Sequence, residues 1–104
     1  MANKQQEKKK VQKFVVRCDR AGVFYGEIVK REGDDVVMAN VRKLWFWSGA
    51  NSIEDLGMTG VTKPENCQFT VWVPEMTVMN PVQILPCTDR AKASIEGVRE
   101  WKRG

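Results

Sequence analysis

The sequence predicts an α+β, mainly β domain: a curled antiparallel sheet or small barrel-like β domain with two short helices. Short apolar segments alternate with tight turns, which is typical of antiparallel strands. The sequence shows no strand–helix–strand pattern, which is the pattern that would indicate a parallel sheet. A chain of 104 residues has the length of one such domain. We expect one helix after the third strand and the other near the C-terminus.

Two successive hairpins are predicted at the start of the domain. Residues 14–18 begin a β pattern in which Phe14, Val16 and Cys18 share one face, and residues 19–22 supply an Asp and a Gly for a turn. Residues 23–30 form the returning strand. A second turn at residues 31–34 leads into a long strand over residues 35–47.

Two positions interrupt the strand pattern. Gly26 stands inside the second strand, which indicates a bulge or the close approach of another group. Near Asn40 and Arg42, neither face of the third strand stays apolar, so we expect a bulge or a break there. At period two, one face of that strand carries Val37, Ala39, Val41, Trp45 and Trp47, and the other carries Val36, Met38, Leu44 and Phe46.

The second half of the chain is predicted as short elements. Ser52 is a candidate N-cap of a helix that Gly57 and Gly60 close. Residues 67–73 alternate as a strand that Pro74 ends. Two further short strands are expected at residues 76–79 and 82–85. A clear helix follows from the N-cap Thr88 to its terminator Gly97, and Trp101 is expected to pack back on the sheet.

The positive net charge belongs to the N-terminus. Residues 1–13 contain five lysines and one glutamate, whereas the remainder has twelve cations and twelve anions. We therefore predict a disordered basic arm over residues 1–13 and a neutral domain over residues 14–104. The arm either keeps the domain soluble or contacts nucleic-acid phosphates nonspecifically, with Lys8, Lys9 and Lys10 as the contact residues.

Composition also predicts the compartment. No apolar segment resembles a signal peptide or reaches the roughly 18 residues that span a bilayer, so we expect a cytoplasmic protein. Three widely spaced cysteines fit reduced thiols better than a disulfide framework.

Catalysis has little support in this sequence, so we predict that the protein is not an enzyme and has no cofactor or metal. The chain has no histidine, the commonest general base and zinc ligand. Cys87 precedes a helix, where a thiolate is stabilised, but no orienting partner is identifiable. The acid pairs at residues 34–35 and 54–55 have structural explanations as turn and first-turn residues.

The aromatic segment around Trp45 is the main candidate site. Its rings either anchor the core or offer a stacking surface, with Arg42, Lys43 or Asn51 as polar contacts. Most of the segment is expected in the core, and the core is favoured over contact for Trp45, which nevertheless stays a candidate contact residue. Trp47, at the strand end, is the more favoured contact candidate. Trp72, on the outward face of its strand, is another candidate.

Three segments carry a resemblance. They are Cys-Asp-Arg-Ala-Gly-Val-Phe-Tyr-Gly over residues 18–26, Arg-Lys-Leu-Trp-Phe-Trp-Ser-Gly-Ala over residues 42–50 and Pro-Cys-Thr-Asp-Arg-Ala-Lys-Ala-Ser-Ile over residues 86–95. With these segments the chain resembles a family of small uncharacterised bacteriophage and prophage proteins of unknown function. The resemblance implies a phage or prophage product that acts inside a bacterial host.

Two functional hypotheses follow. The first is a non-enzymatic module that binds a host or phage protein, or a second copy of itself, through the surface around Trp47 and Trp72. The second is binding of a nucleotide or nucleic acid by tryptophan stacking beside Arg42 and Lys43, including a role in host defence or host takeover.

Overall fold

The computed structural model describes residues 11–102, and a six-stranded antiparallel sheet is the main element within that range. The predicted α+β, mainly β class is confirmed. The strands are β1 (Phe14–Cys18), β2 (Gly22–Glu32), β3 (Asp35–Phe46), β4 (Gln68–Phe69), β5 (Val73–Val78) and β6 (Pro81–Pro86). The helices are α1 (Ile53–Thr59) and α2 (Asp89–Glu96), and a 3₁₀ helix spans Pro64–Asn66.

The order of the strands forces the sheet to curl. They lie in the order β4-β3-β2-β1-β6, with β5 paired to the first half of β3 and β4 to its end. β5 and β6 are therefore at opposite edges, yet only Met79 and Asn80 connect them. So short a connection requires the two edges to come close together. No β5–β6 pairing occurs in residues 11–102, so the curled sheet stays unclosed.

Two hydrogen bonds fasten the connection between β5 and β6. Asn80 has a left-handed backbone (φ 53°), and its N–H donates to Oδ1 of Asp35 over 2.9 Å. The thiol of Cys18 donates to the carbonyl oxygen of Met79 over 3.0 Å. The tip of the β2–β3 hairpin and the end of β1 are thereby tied to the same turn.

The sheet separates two cores because successive side chains of a strand point to opposite faces. On β1, Val15 belongs to the first core and Val16 to the second. The first core lies between the sheet and the helices, where Leu56 of α1 and Ile95 of α2 are fully buried. The second core fills the inside of the curl, and its buried members are Val16, Cys18, Phe24, Val36, Met38, Val41 and Val78.

Both helices begin at the predicted N-caps. The hydroxyl oxygen of Ser52 accepts from the N–H of Asp55 over 3.1 Å, and Thr88 accepts from the third residue after it in the same way. The prediction that Gly57 closes α1 is wrong. Gly57 is a buried residue within the helix, which ends at Gly60 with φ 79°.

The single strand predicted over residues 67–73 is also wrong, because β4 ends at Phe69 and β5 begins at Val73. Thr70 exchanges bonds with the backbone of Lys43, its N–H donating over 3.0 Å and its hydroxyl oxygen accepting over 2.9 Å. The chain then leaves β3. Val71, which a strict alternation over residues 67–73 would place inward, is exposed. Pro74 does not end a strand, as predicted, but lies inside β5. An edge strand tolerates a proline because one row of its N–H groups needs no partner.

Residues 11–13 of the predicted basic arm lie against the domain. The N–H of Cys87 donates to the carbonyl oxygen of Lys13 over 2.8 Å, and the Gln12 side chain donates to the carbonyl oxygen of Cys87 over 3.0 Å. The Lys13 ammonium also lies 3.1 Å from the carboxylate of Glu96. The rest of the arm, with Lys8, Lys9 and Lys10, lies outside the described residues.

Candidate binding surface

A bulge between β2 and β3 sets which face each residue of the aromatic segment takes. From Tyr25 to Glu27 the partner on β3 changes by three residues, so β3 holds one extra residue there, and Asn40 has φ 49°. A methyl group on Gly26 would lie 2.9 Å from Cα of Val41, closer than packed atoms allow. The bulge predicted at Gly26 and Asn40 is confirmed.

Beyond the bulge, Arg42 is fully buried. Its Nη1 donates to the carbonyl oxygens of Ile95 and Val98 over 3.1 and 2.8 Å, and its Nε donates to that of Thr70 over 3.2 Å. Carbonyls at the C-terminal end of a helix carry partial negative charge and offset a buried cation. Burial lowers the pKa of Arg42, and the nearby carboxylate of Glu100 opposes that shift.

Arg42, Phe69 and Trp72 form a group that we call the buried cluster. The guanidinium carbon lies 4.7 Å from the ring centroid of Trp72 and 5.3 Å from that of Phe69, so the cation is held over two aromatic rings. Tyr25 meets the Trp72 ring edge-on at 6.1 Å. Arg42 therefore joins β3 to the end of α2. The hypothesis that Arg42 contacts a ligand requires it at the molecular surface, so the burial of Arg42 contradicts that prediction.

Trp45 and Phe46, immediately beyond, are exposed, each to 52%. The prediction that Trp45 belongs to the core is wrong. Lys43, opposite Phe24, is the last β3 residue that pairs with β2. Trp45 comes after Lys43 and therefore extends past the part of the curl that β2 covers. Its ring instead makes a T-shaped contact with Trp101, at 5.1 Å between centroids and 64° between planes.

The segment after α2 carries Trp101 to this place. Glu100 forms an isolated parallel bridge with Phe69, and the N–H of Trp101 donates to the carbonyl oxygen of Phe69 over 2.9 Å. The chain thus runs along the outer edge of β4, so Trp101 packs back on the sheet as predicted. We call Trp45, Phe46 and Trp101 together the aromatic surface.

Two shallow grooves border the aromatic surface. One, of about 500 Å³, runs between Phe46 and Trp101 with Glu65 and Gln68 in its wall. The other, of about 450 Å³, continues past Trp101 towards the C-terminus. Its charged lining residues are Glu65, Arg99, Glu100 and Lys102, so charges of both signs surround the exposed rings.

The other predicted contact residues lie elsewhere. Trp47 is half-buried against the first core, as is Trp72 within the buried cluster. Lys43 is half-buried, with Cε so close to Gly22 that a methyl group there would be 3.0 Å away. Asn51 is exposed, and its N–H donates to Oδ2 of Asp55 at the start of α1 over 3.2 Å.

Sequence reasoning missed Phe46 and Trp101 as members of one surface with Trp45. Phe46 was assigned to the face of β3 opposite Trp45, which alone would keep the two rings apart. The register between β3 and β4 shifts between Leu44 and Phe46, however, so the strict alternation of faces is broken there. Trp101 contacts the Trp45 ring and lines one groove with Phe46, and in this way joins the two residues into one surface. No local sequence pattern predicts the position of Trp101, because that position depends on the course of the chain after α2.

The thiols are poorly suited to react as nucleophiles. Burial raises the pKa of Cys87 to about 11, and it also raises the pKa values of Cys18 and Cys67. The thiolate is the nucleophilic form, so at neutral pH little of Cys87 is in that form. Within residues 11–102, no group of three or more His, Cys, Asp or Glu side chains is placed to hold a metal ion.

The fold and this surface define a class: a small, mainly β domain with a curled sheet and an exposed aromatic end. A family model described as a domain of unknown function, DUF6948, matches residues 11–95, and the chain belongs to that family. Trp45 and Phe46 lie within the matched residues. No curated protein and no solved structure matches the chain. Neither helix of the described range is long and apolar enough to cross a bilayer.

Proposed function

We propose that this protein is a non-enzymatic binding module that associates with a second copy of itself through the aromatic surface. The observation that carries the proposal is the exposure of both Trp45 and Phe46, with Trp101 against the Trp45 ring and beside Phe46 in one groove. Removing apolar area from water contributes roughly 25 cal/mol per Å². Aromatic side chains that gather at one place on a surface are typical of the centres of protein interfaces.

The charges around the aromatic surface favour a second copy over a strongly charged partner. Glu65 and Glu100 line the adjoining groove together with Arg99 and Lys102. A two-fold interface sets a patch against itself, so a patch with both signs can place acids opposite bases. Residues 11–102 hold twelve cations and twelve anions, so this part of the chain adds no net charge that opposes the approach of two copies, and the excess of +4 lies outside it.

The non-enzymatic part of the proposal is supported by the structural work of the acidic side chains. Asp35 accepts from the N–H of Asn80 over 2.9 Å, and Glu54 accepts from Gln83 over 2.9 Å. Asp55 accepts from the backbone at the start of α1. The chain also has no histidine that could move a proton near neutral pH.

Sedimentation equilibrium over a range of concentrations tests the proposal. The wild-type protein is expected to form a reversible dimer, and Trp45→Ser is expected to weaken it at least about tenfold, or about 1.4 kcal/mol. Val29→Ser is the matched control, because Val29 is an exposed apolar residue on β2 outside the aromatic surface.

Two results contradict self-association. One is a wild-type protein that stays monomeric up to its solubility limit. The other is equal weakening by Val29→Ser and Trp45→Ser. In the first case, a host protein that binds the wild type and not Trp45→Ser would assign the aromatic surface to a different partner.

A second candidate function is nucleotide or single-stranded nucleic-acid binding by stacking on Trp45. One observation favours it: the Trp45 ring is half exposed, and the cation Lys43 lies two residues before it on β3. Titration with an oligothymidine at low salt would quench the fluorescence of Trp45. Quenching that Trp45→Ser abolishes supports stacking, whereas no quenching excludes it. Deleting residues 1–10 then measures what Lys8, Lys9 and Lys10 contribute.

The origin of the protein is also part of this proposal. Only the sequence resemblance supports a phage or prophage product acting in the cytoplasm of a bacterial host. Expression that begins when a prophage is induced supports that origin. Expression in a strain free of prophage sequences contradicts it.

A further inference from the structure

A second place on the molecule has the form of a small-molecule site. A cavity of about 400 Å³ opens at one end of the curled sheet, between the β1–β2 turn and the connection from β5 to β6. Its volume lies in the range of pockets that bind small ligands, and the mouths of β-barrels are common positions for them. The aromatic surface shares no lining residue with this cavity.

We propose that this cavity binds a small apolar molecule carrying one cationic group, such as an aromatic or aliphatic amine. The interior of the cavity is formed by Cys18, Phe24, Met76, Val78 and Met79. Three of these, Cys18, Phe24 and Val78, are buried members of the second core. The apolar part of a ligand would therefore extend a core that already exists.

Met79 lies at the opening of the cavity, where a bound ligand would cover its exposed side chain. It is 65% exposed, although its neighbours Val78 and Cys18 are buried. Methionine is flexible and adapts its shape to different apolar partners. A bound ligand would remove both its own apolar area and that of Met79 from water.

The walls of the cavity are held in place without a ligand. The N–H of Asn80 is bonded to Asp35, and the Cys18 thiol is bonded to the carbonyl oxygen of Met79. The two turns that face each other across the opening are thus anchored to the rest of the sheet. A preformed site spares a ligand the free-energy cost of ordering it.

The charge of the ligand follows from two carboxylates near Cys18: Asp19, on the exposed turn that also carries Arg20, and half-buried Asp35. Asp19 lines the cavity, and Asp35 bonds to Asn80, which also lines it. Burial raises the pKa of Cys18, and the charges of Asp19 and Asp35 raise it further, so the floor lies in a negative potential. Arg20 also lines the cavity, on the exposed turn, and is the cation that competes with this preference.

Three probes of nearly equal size separate charge from shape: phenethylamine, 2-phenylethanol and 3-phenylpropionate. Each is titrated into the full-length protein while backbone amide signals are followed by NMR. We expect saturable shifts at residues 18–21 and 76–80, tightest for the amine and at least about tenfold weaker for the carboxylate. Asp19→Asn should weaken the amine about threefold and leave the alcohol unchanged.

Two variants provide the controls. Ala21 lines the cavity on the exposed turn, so Ala21→Trp is expected to block all three probes in a folded protein. Trp45→Ser is expected to leave probe binding unchanged, which separates this site from the aromatic surface. Equal affinities for amine and alcohol, tighter binding of the carboxylate, shifts confined to other residues, or no saturation by any probe would each overturn the proposal.

Discussion

Two aromatic clusters lie within a few residues of each other on β3, one buried around Arg42 and one exposed around Trp45. Arg42 is a charged residue with no exposed surface, whereas Trp45 is half exposed. Hydrophobicity alone predicts the opposite placement. The difference therefore comes from what lies over each face of the strand.

Arg42 can be buried because acceptors converge on it. Residues 95 and 98, at the end of α2, and Thr70, after β4, each present a carbonyl oxygen within 3.2 Å of the guanidinium. Trp45 has no comparable cover, because β2 begins near its level and its ring contact is with Trp101, which leaves it half exposed. The exposed aromatic surface thus lies where the strands that cover the rest of β3 end.

The largest expected effect comes from removing the cation of the buried cluster. Arg42→Ala removes the guanidinium donor from three carbonyl oxygens, of which that of Ile95 keeps a backbone N–H, and opens a cavity between two rings, so we expect a loss of about 4 kcal/mol in the free energy of unfolding. Urea denaturation measures it. Lys43→Ala, next in the chain, is the control and should cost under about 1 kcal/mol. A loss below about 1 kcal/mol for Arg42→Ala would show that the buried cluster does not hold α2 to the sheet.

The next effect concerns the bulge that precedes both clusters on β3. Gly26→Ala places a methyl group against the backbone of Val41 and the carbonyl oxygens of Ala39 and Asn40. We expect a destabilisation of about 2 kcal/mol, because the obstruction is backbone rather than a flexible side chain. Gly33→Ala is a useful comparison, since a methyl group there meets nothing and only the φ of 61° opposes it. Equal costs in thermal unfolding would contradict the steric explanation.

A smaller effect is expected at the edge of the buried cluster. The hydroxyl of Tyr25 donates to Oε2 of Glu96 over 2.6 Å. Burial raises the pKa of Glu96, but the hydrogen bonds from Tyr25 and Lys13 outweigh burial and hold it below the ordinary 4.5. The stabilisation is therefore present above pH 4.5 and is lost as the pH falls through the lower, folded value.

Tyr25→Phe removes one of those donors. It should cost about 1 kcal/mol at pH 7, allowing for the partial exposure of Glu96, and less as the pH falls through the lowered pKa of Glu96, because the carboxylate that accepts the bond becomes protonated. Urea denaturation of both proteins between pH 3 and 7 measures the change. A cost that stays the same across this range would contradict the assignment of the bond to the carboxylate form.

The smallest effect on folding is expected at the aromatic surface itself. Trp45→Ser removes an exposed ring and one T-shaped contact, so it should cost about 0.5 to 1 kcal/mol under conditions where the protein is monomeric. Thermal unfolding at low concentration measures this. A loss as large as that of Arg42→Ala would mean that Trp45 is a core residue, as the sequence pattern predicts.

The sequence predicted those parts of the fold that local chemistry determines. The turns near Gly22 and Gly33, the N-caps Ser52 and Thr88 and the bulge at Gly26 each depend on one or two residues with a distinct backbone or hydrogen-bonding property. The placement of β5 and β6 at opposite edges was beyond such reasoning. That placement depends on pairing between segments that are far apart in the sequence. A single amino-acid sequence does not reveal which distant segments pair.

The candidate site was predicted as a segment but not as a surface. The aromatic run of β3 stands out in the sequence, yet a strict period of two puts Trp45 on the same face as buried Val41 and does not reveal where that face loses its cover. The burial of Arg42 was missed because its acceptors are backbone carbonyls, which every sequence contains and no pattern marks.

The most direct test of the contrast between the two clusters is ¹⁹F NMR of the protein labelled with 5-fluorotryptophan, followed as the concentration is raised. Single Trp→Phe variants assign the four signals. Self-association through the aromatic surface predicts that the signals of Trp45 and Trp101 move with concentration while that of Trp72 stays fixed. A signal of Trp45 that does not move, or one of Trp72 that moves as much, would contradict it.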